Sequence, residues 1–136
     1  MTPILRNILF AACAIGAAFP AAADKPGPGG TKPLLPTNGE QVYKMVCQSC
    51  HMPDAKGAVG AGTFPALASN TNLQVPEYAI MMIANGRGAM PWFRDMLKPA
   101  QIANVVNYVR THFGNDYKDA VKAEDVAAIV GPGTAR

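Results

Sequence analysis

Five consecutive residues, Cys47-Gln48-Ser49-Cys50-His51, constrain this chain more than any other stretch. Two cysteines separated by two residues and followed at once by histidine form the pattern through which c-type haem is attached. Each position has a chemical reason. The thiols add to the two vinyl groups of the porphyrin and become thioethers. The two intervening residues, on a helical turn, set the sulfurs at the vinyl separation. The adjacent imidazole then reaches the iron from the same side. A fold built on this string must close around a flat macrocycle. Two other readings exist for the cysteine pair alone: a thioredoxin-like redox couple and half of a zinc site. The first belongs early in a βαβ pattern, which the sequence lacks. The second needs further Cys or His ligands, and only His112 remains downstream.

A chain of 136 residues suits one small domain. Lys and Arg number 12 against 9 acids, a formal +3, which is too weak to point to nucleic acid, and no basic stripe appears. With 13 Gly and 12 Pro the backbone must be irregular over long stretches and the core small. Such a domain is marginal on apolar burial alone, and a covalently held macrocycle would supply the missing core. Of the three cysteines, Cys13 lies in the leader. The other two are consumed by haem, which leaves no disulfide.

Residues 1–23 read as a secretory signal peptide: one positive charge at Arg6, then an apolar run from Ile8 to Phe19, too short to span a bilayer. Ala21 and Ala23 precede Asp24 with the small side chains a signal peptidase needs, so cleavage is expected after Ala23 and the location is the periplasm. An uncleaved anchor is the alternative, as is lipidation at Cys13, for which Phe10 is a poor fit. Loss of Arg6 lowers the formal charge from +3 to +2, which two haem propionates cancel, so long-range steering should be weak. Residues 24–36 form a Pro- and Gly-rich linker that cannot hold a helix, although Leu34 or Leu35 has a surface to pack on.

Residues 37–114 carry the helical pattern. Thr37 and Glu40 are spaced as a capping box, and Gly39, Val42, Tyr43 and Val46 share one helical face. Residues 52–63 read as a loop. An iron-bound histidine donates its second ring N–H to a carbonyl, and the rigid Pro65 in Phe64-Pro65-Ala66-Leu67 suits that task, with Leu67 covering the macrocycle edge; the alternative is an ordinary turn with an apolar plug. Pro76 to Asn85 is a short helix, Pro76 at its first position and Gly86 at its stop. It is apolar almost all round and is expected to be largely buried.

The segment Gly86-Arg87-Gly88-Ala89-Met90-Pro91-Trp92-Phe93 offers the second axial ligand. Glycines let the loop approach the haem face, Pro91 stiffens it, and Met90 presents a thioether. Among the seven methionines, Met81 and Met82 look like core filler, Met45 packs beside the motif, Met52 points away and Met96 lies beyond the loop. His112 would give a bis-histidine iron, but it falls at the end of the last helix. Trp92 and Phe93 shield the haem, or Trp92 faces a partner; Arg87 pairs with a propionate. From Pro99 a helix follows, with Ile102, Val105, Val106, Val109 and Phe113 on one stripe and Gly114 at its end. Tyr108 flanks that stripe and can meet Tyr43 or Gly39. In residues 115–136 a turn precedes a short amphipathic helix (Ala123, Val126, Ala127, Val130) that covers either the domain's own back or a partner. No later stretch is long and apolar enough for a membrane span, and there is no second haem motif, so one haem c is expected.

Together, Gly39/Tyr43, the motif at 47–51, Phe64 to Leu67, Gly86 to Pro91 and the terminal stripe resemble a class I (mono-haem) cytochrome c over residues 37–114. The resemblance implies an all-α fold of three main helices around one covalently bound haem, with the first and last helices crossing. It implies Cys47 and Cys50 as attachment points and His51 and Met90 as axial ligands. Residues 85–91 and 107–114 are similar to small cytochrome subunits that serve periplasmic flavin, quinoprotein and molybdenum dehydrogenases.

The function these features predict is that of an electron carrier, not an enzyme. It would take electrons one at a time from a dehydrogenase and pass them to an oxidase or another cytochrome. Methionine ligation raises the reduction potential and closes the iron. Lys44, Lys56, Arg87, Arg94 and Lys98 either rim the haem edge and orient partners or are ordinary solvated charges. The rivals are a peroxidase or gas-binding haem protein with a labile sixth ligand, and a thiol–disulfide protein without haem.

Overall fold

A computed structural model of the chain describes residues 36–60 and 62–131. The expected signal peptide, Cys13 and nearly all of the expected linker, with Leu34 and Leu35, lie outside the described residues. The first helix starts at Gly39. Helix α1 (Gly39–Val42) runs through a π-helical stretch (Tyr43–Cys47) into α2 (Gln48–His51). Its N-cap is Asn38, not Thr37: Asn38 Oδ1 accepts from the Gln41 amide at 2.9 Å. Glu40 does not serve the cap because Lys44, one turn on, holds its carboxylate at 2.6 Å; Gln41 Oε1 reaches back to the Thr37 amide instead, at 2.9 Å.

The loop after α2 is more ordered than a plain glycine-rich connection. It contains a two-stranded antiparallel hairpin, β1 (Ala58–Val59) and β2 (Thr63–Phe64), with Ala58 opposite Phe64. Behind it the carbonyl of the fully buried Ala55 accepts from the amides of Leu67 and Ala68, at 2.7 and 2.9 Å. A 3-10 turn (Thr71–Gln74), capped by Asn70, leads into α3 (Pro76–Asn85); α4 (Pro99–Thr111) and α5 (Ala123–Val130) follow.

Helix α4 is the spine. Ile102, Ala103, Val105, Val106 and Val109 are buried, as a period of 3.6 residues requires of a core-facing stripe. Helix α1 crosses it at Gly39, where a Cβ would lie 2.2 Å from the Asn104 carbonyl oxygen and 2.5 Å from Tyr108 Cβ. Only glycine permits that approach. The crossing is secured by Tyr43 and Tyr108, ring centroids 5.7 Å apart, and by Asn104 Nδ2 donating to the Thr37 carbonyl at 2.9 Å. The helix ends at Thr111, short of Phe113 and Gly114. Phe113 instead turns out of the helix at φ 59°, which brings its ring to 4.9 Å from that of Tyr43.

Helix α3 departs from its expected burial. Only Ala79, Ile80 and Ala84 are buried; Tyr78 and Met81 are exposed. A ten-residue helix has one side for α4 and α5, and this one turns Tyr78, Met82 and Ile83 toward a cavity. Residues 115–131 are part of the same core. Asn107 on α4 clamps Val121 from both sides, donating to its carbonyl and accepting from its amide, each at 2.8 Å. Val121 is buried, and Val126 on α5 is fully buried, a burial that contributes about 1.5–3 kcal/mol. The stripe of α5 thus covers the domain's own α3 and α4. Among the described residues no helix is long and apolar enough to cross a membrane.

Candidate functional site

The helices enclose a cavity of about 530 Å³, within the roughly 300–1,000 Å³ range of small-molecule sites. Cys47, Cys50 and His51 open onto it from α2 and the π-helical stretch. Leu73, Val105 and Val109 contribute apolar surface, as do Ile83 and Phe93, and Met90 and Pro91 also line it. Among the described residues, Arg87 is the only cationic side chain on its walls apart from His51, and no carboxylate lines it. The donor set fits a covalently held porphyrin: two free thiols and an imidazole on α2 and its approach, thioethers elsewhere, and apolar surface between.

His51 is oriented from behind. Its Nδ1 lies 3.0 Å from the Pro65 carbonyl oxygen. A carbonyl only accepts, so Nδ1 carries the proton and Nε2 keeps its lone pair for a metal. The next residue, Met52, holds φ 67° and ψ 162°, a region almost reserved for glycine. Its carbonyl accepts from the buried Tyr43 hydroxyl at 2.7 Å and from the Ala55 amide at 3.1 Å. Those bonds fix the turn that follows the imidazole. Burial, and secondarily Cys47, pushes the Tyr43 hydroxyl up to about 12. Burial, then Cys50, pushes the Cys47 thiol up to about 12 as well, so neither ionises near neutral pH.

Met90 sits on a turn closed by two reciprocal backbone bonds to Arg87, each 3.0 Å. Gly86 makes the turn possible at φ 68° and ψ 173°; a Cβ there would lie 2.4 Å from the Met90 carbonyl oxygen. Met45 and Met96 are exposed and off the cavity, so Met45 does not pack beside the motif as expected. Met81 is also exposed rather than core filler. Met82, expected to be core filler as well, lines the cavity, so among the described residues two methionines rather than one line it. His112 is exposed on the outside, its Nδ1 2.9 Å from the Tyr108 carbonyl oxygen.

The remaining sequence candidates divide. Pro65, Leu67 and Arg87 line the cavity, but Trp92 does not and is 59% exposed. The reason is extended alternation: the Phe93 amide is fixed to the Ile83 carbonyl at 2.9 Å, Pro91 and Phe93 face in, and Trp92 between them faces out. Of the five suggested rim cations only Arg87 lines the cavity. Lys44 and Lys56 pair with Glu40 and Asp54, and Arg94 donates to the Asn85 side chain.

Two residues behind the walls have no counterpart in the sequence reading. Asn115 is buried; its Nδ2 donates to the carbonyls of Leu67 and Val109, both at 2.8 Å, and its Oδ1 accepts from the Asn70 amide at 2.9 Å. Arg110 is wholly buried. Neither carries a local signal, because each holds at least two backbone groups that are distant in sequence.

A family model described as "Cytochrome C oxidase, cbb3-type, subunit III" matches residues 35–109. The cytochrome c subunit of alcohol dehydrogenase (quinone) from Gluconacetobacter polyoxogenes is 34% identical over 104 residues, which are 67% of this chain and 22% of that subunit. Cytochrome c6 from Diacronema lutheri is 35% identical over 79 residues, 57% of this chain and 95% of that protein. The solved cytochrome c6 of the diatom Phaeodactylum tricornutum superposes with a TM-score of 0.48 at 26% identity, over 55% of this chain and 90% of that one. The chain spans less than a quarter of the length of the dehydrogenase subunits it matches.

Proposed function

This chain belongs to the cytochrome c family, whose cbb3-type subunit III model covers more than half of it, and from that membership we propose a periplasmic carrier with one haem c, ligated by His51 and Met90. Cys47 and Cys50 would hold the group by thioether bonds. Bound there, haem c supplies a one-electron ferric/ferrous couple. The observation that carries the reading is the imidazole of His51: Nδ1 is committed to the Pro65 carbonyl at 3.0 Å, so Nε2 is free on the cavity side, within one helical turn of both thiols.

The other residues have defined tasks. The Arg87–Met90 turn holds the thioether of Met90 ready on a loop that Gly86 folds back. Leu67, Leu73, Ile83, Phe93, Val105 and Val109 exclude water, which keeps the surroundings nearly unchanged between oxidation states. Arg87, which lines the cavity, would supply a cation to a propionate. Tyr78 is exposed and also lines the cavity, and so marks the side on which a partner protein meets it. The donor is a dehydrogenase, a reading supported by the kinship with the quinone-dependent alcohol dehydrogenase subunit. The acceptor is an oxidase or a second cytochrome.

The test is a visible spectrum, oxidised and reduced, of protein made with the haem-attachment machinery. Covalent haem at one per chain, with a thioether–iron absorption band, is expected. A colourless protein with two titratable thiols would overturn the reading. Carbon monoxide bound readily by the reduced protein at neutral pH would overturn the closed sixth position.

A further inference from the structure

Arg110 is the most deeply placed charge among the described residues, with a side chain 0% exposed. A buried guanidinium is tolerated only when its donors are satisfied and its charge is compensated. Nε donates to the Leu73 carbonyl at 2.8 Å and Nη2 to that of Gln74 at 3.3 Å. Nη1 donates to the Asp119 carbonyl, Nη2 reaches Asp119 Oδ1 at 2.7 Å, and the Tyr117 ring lies 5.9 Å from the guanidinium carbon. The pair is lopsided. The Asp119 side chain is 68% exposed, and Arg110 pulls its carboxyl below the usual carboxylate range. The negative charge is therefore in water and the positive charge is in the core.

That core position matters because Leu73 and the neighbouring Val109 both line the cavity. The guanidinium stands one residue layer behind the wall. The field of a charge in a low-dielectric interior is far less attenuated than that of a solvated one, so Arg110 acts on the cavity more strongly than Asp119 does. Reduction lowers the charge on an iron centre by one, and a buried cation nearby favours the reduced form. We propose that Arg110 sets the reduction potential of this site and that the C-terminal segment moderates it through Asp119. The inference rests on the haem reading given above.

The experiment is a redox titration of the holoprotein at low salt, with axial ligation checked from the absorption spectrum. Asp119→Asn keeps an acceptor and removes the countercharge from an exposed position. The ferrous-to-ferric ratio at a fixed mediator potential is expected to rise on the order of twofold, and the rise to shrink with added salt. Arg110→Met is expected to lower the ratio about tenfold, the equivalent of 59 mV for one electron. Arg110→Lys keeps the charge but loses the fork of hydrogen bonds. It stays near wild type if charge is the cause and follows Arg110→Met if the role is only structural. Should Arg110→Met not fold, the other two variants decide. Normal ligation with an unmoved or lowered potential in Asp119→Asn, or with Arg110→Lys matching Arg110→Met, would overturn the proposal. A wild-type protein without covalent haem would overturn the haem reading instead.

Discussion

Replacing Gly86 with alanine tests whether the loop that carries Met90 is held by local geometry. At φ 68° and ψ 173° the backbone is in a region that side-chain-bearing residues enter at a cost of about 1–3 kcal/mol. The added methyl would also sit 2.4 Å from the Met90 carbonyl oxygen, 2.7 Å from the Pro91 carbonyl carbon and 2.8 Å from the Trp92 amide nitrogen. These are backbone atoms, so no side chain can step aside; the loop itself must shift, and overpacking of this kind adds roughly 1–3 kcal/mol. A combined cost of about 2–6 kcal/mol lowers the closed-loop population on the order of 30- to 20,000-fold. An exogenous ligand has to displace Met90, so its apparent affinity rises by the same factor. The assay is imidazole titration of the ferric holoprotein, with the thioether–iron band followed in parallel. Gly88→Ala is the control: φ is +60°, but a Cβ there meets nothing within 4 Å, so backbone strain alone leaves an effect of roughly 5- to 30-fold. If Gly86→Ala bound imidazole no more tightly than Gly88→Ala, the steric argument for the Met90 loop would be refuted.

Three further outcomes are expected. Met90→Ala should leave haem attached and open the iron to imidazole or carbon monoxide; an unchanged thioether band would move the ligand to Met82, the other methionine lining the cavity among the described residues. Tyr43→Phe removes the hydroxyl bond to the Met52 carbonyl and should cost about 1 kcal/mol in urea denaturation. Its pH dependence has a definite sign. The Tyr43 hydroxyl is raised to about 12 from an ordinary value near 10. Its contribution is complete below about pH 10 and declines as pH rises toward 12, so the variant's stability curve should be flatter there. Val126→Ala should cost about 2 kcal/mol, since the side chain is fully buried; a stability equal to wild type would place α5 outside the cooperative unit.

The helices, the crossing and the fold class were legible because they rest on local spacing. Apolar residues three and four apart mark α4, Pro76 and Gly86 bracket α3, and Gly39 with Tyr43 on one face anticipates the contact with Tyr108. The short helix at 123–130 was legible on the same ground. Errors arose where two local solutions compete. Asn38 displaced Thr37 as cap once Lys44 had drawn off Glu40. Trp92 and Phe93 looked equivalent until the bond from the Phe93 amide to the Ile83 carbonyl set which of them faces the cavity.

Chain order alone dictated the chemistry on offer: two thiols and an imidazole within five residues, and a thioether on a glycine-bounded turn. These are matters of covalent spacing and backbone permission, and they hold in any fold. Tertiary packing decided what surrounds that chemistry. It put the Pro65 carbonyl 3.0 Å from His51 Nδ1, brought Met82 as well as Met90 to the cavity, and buried Arg110 and Asn115 on backbone 36 to 48 residues away. Partners so far apart in the chain meet only after the core has formed, because burying an unpaired polar group costs too much; composition and periodicity carry no record of which carbonyl will be there to receive it.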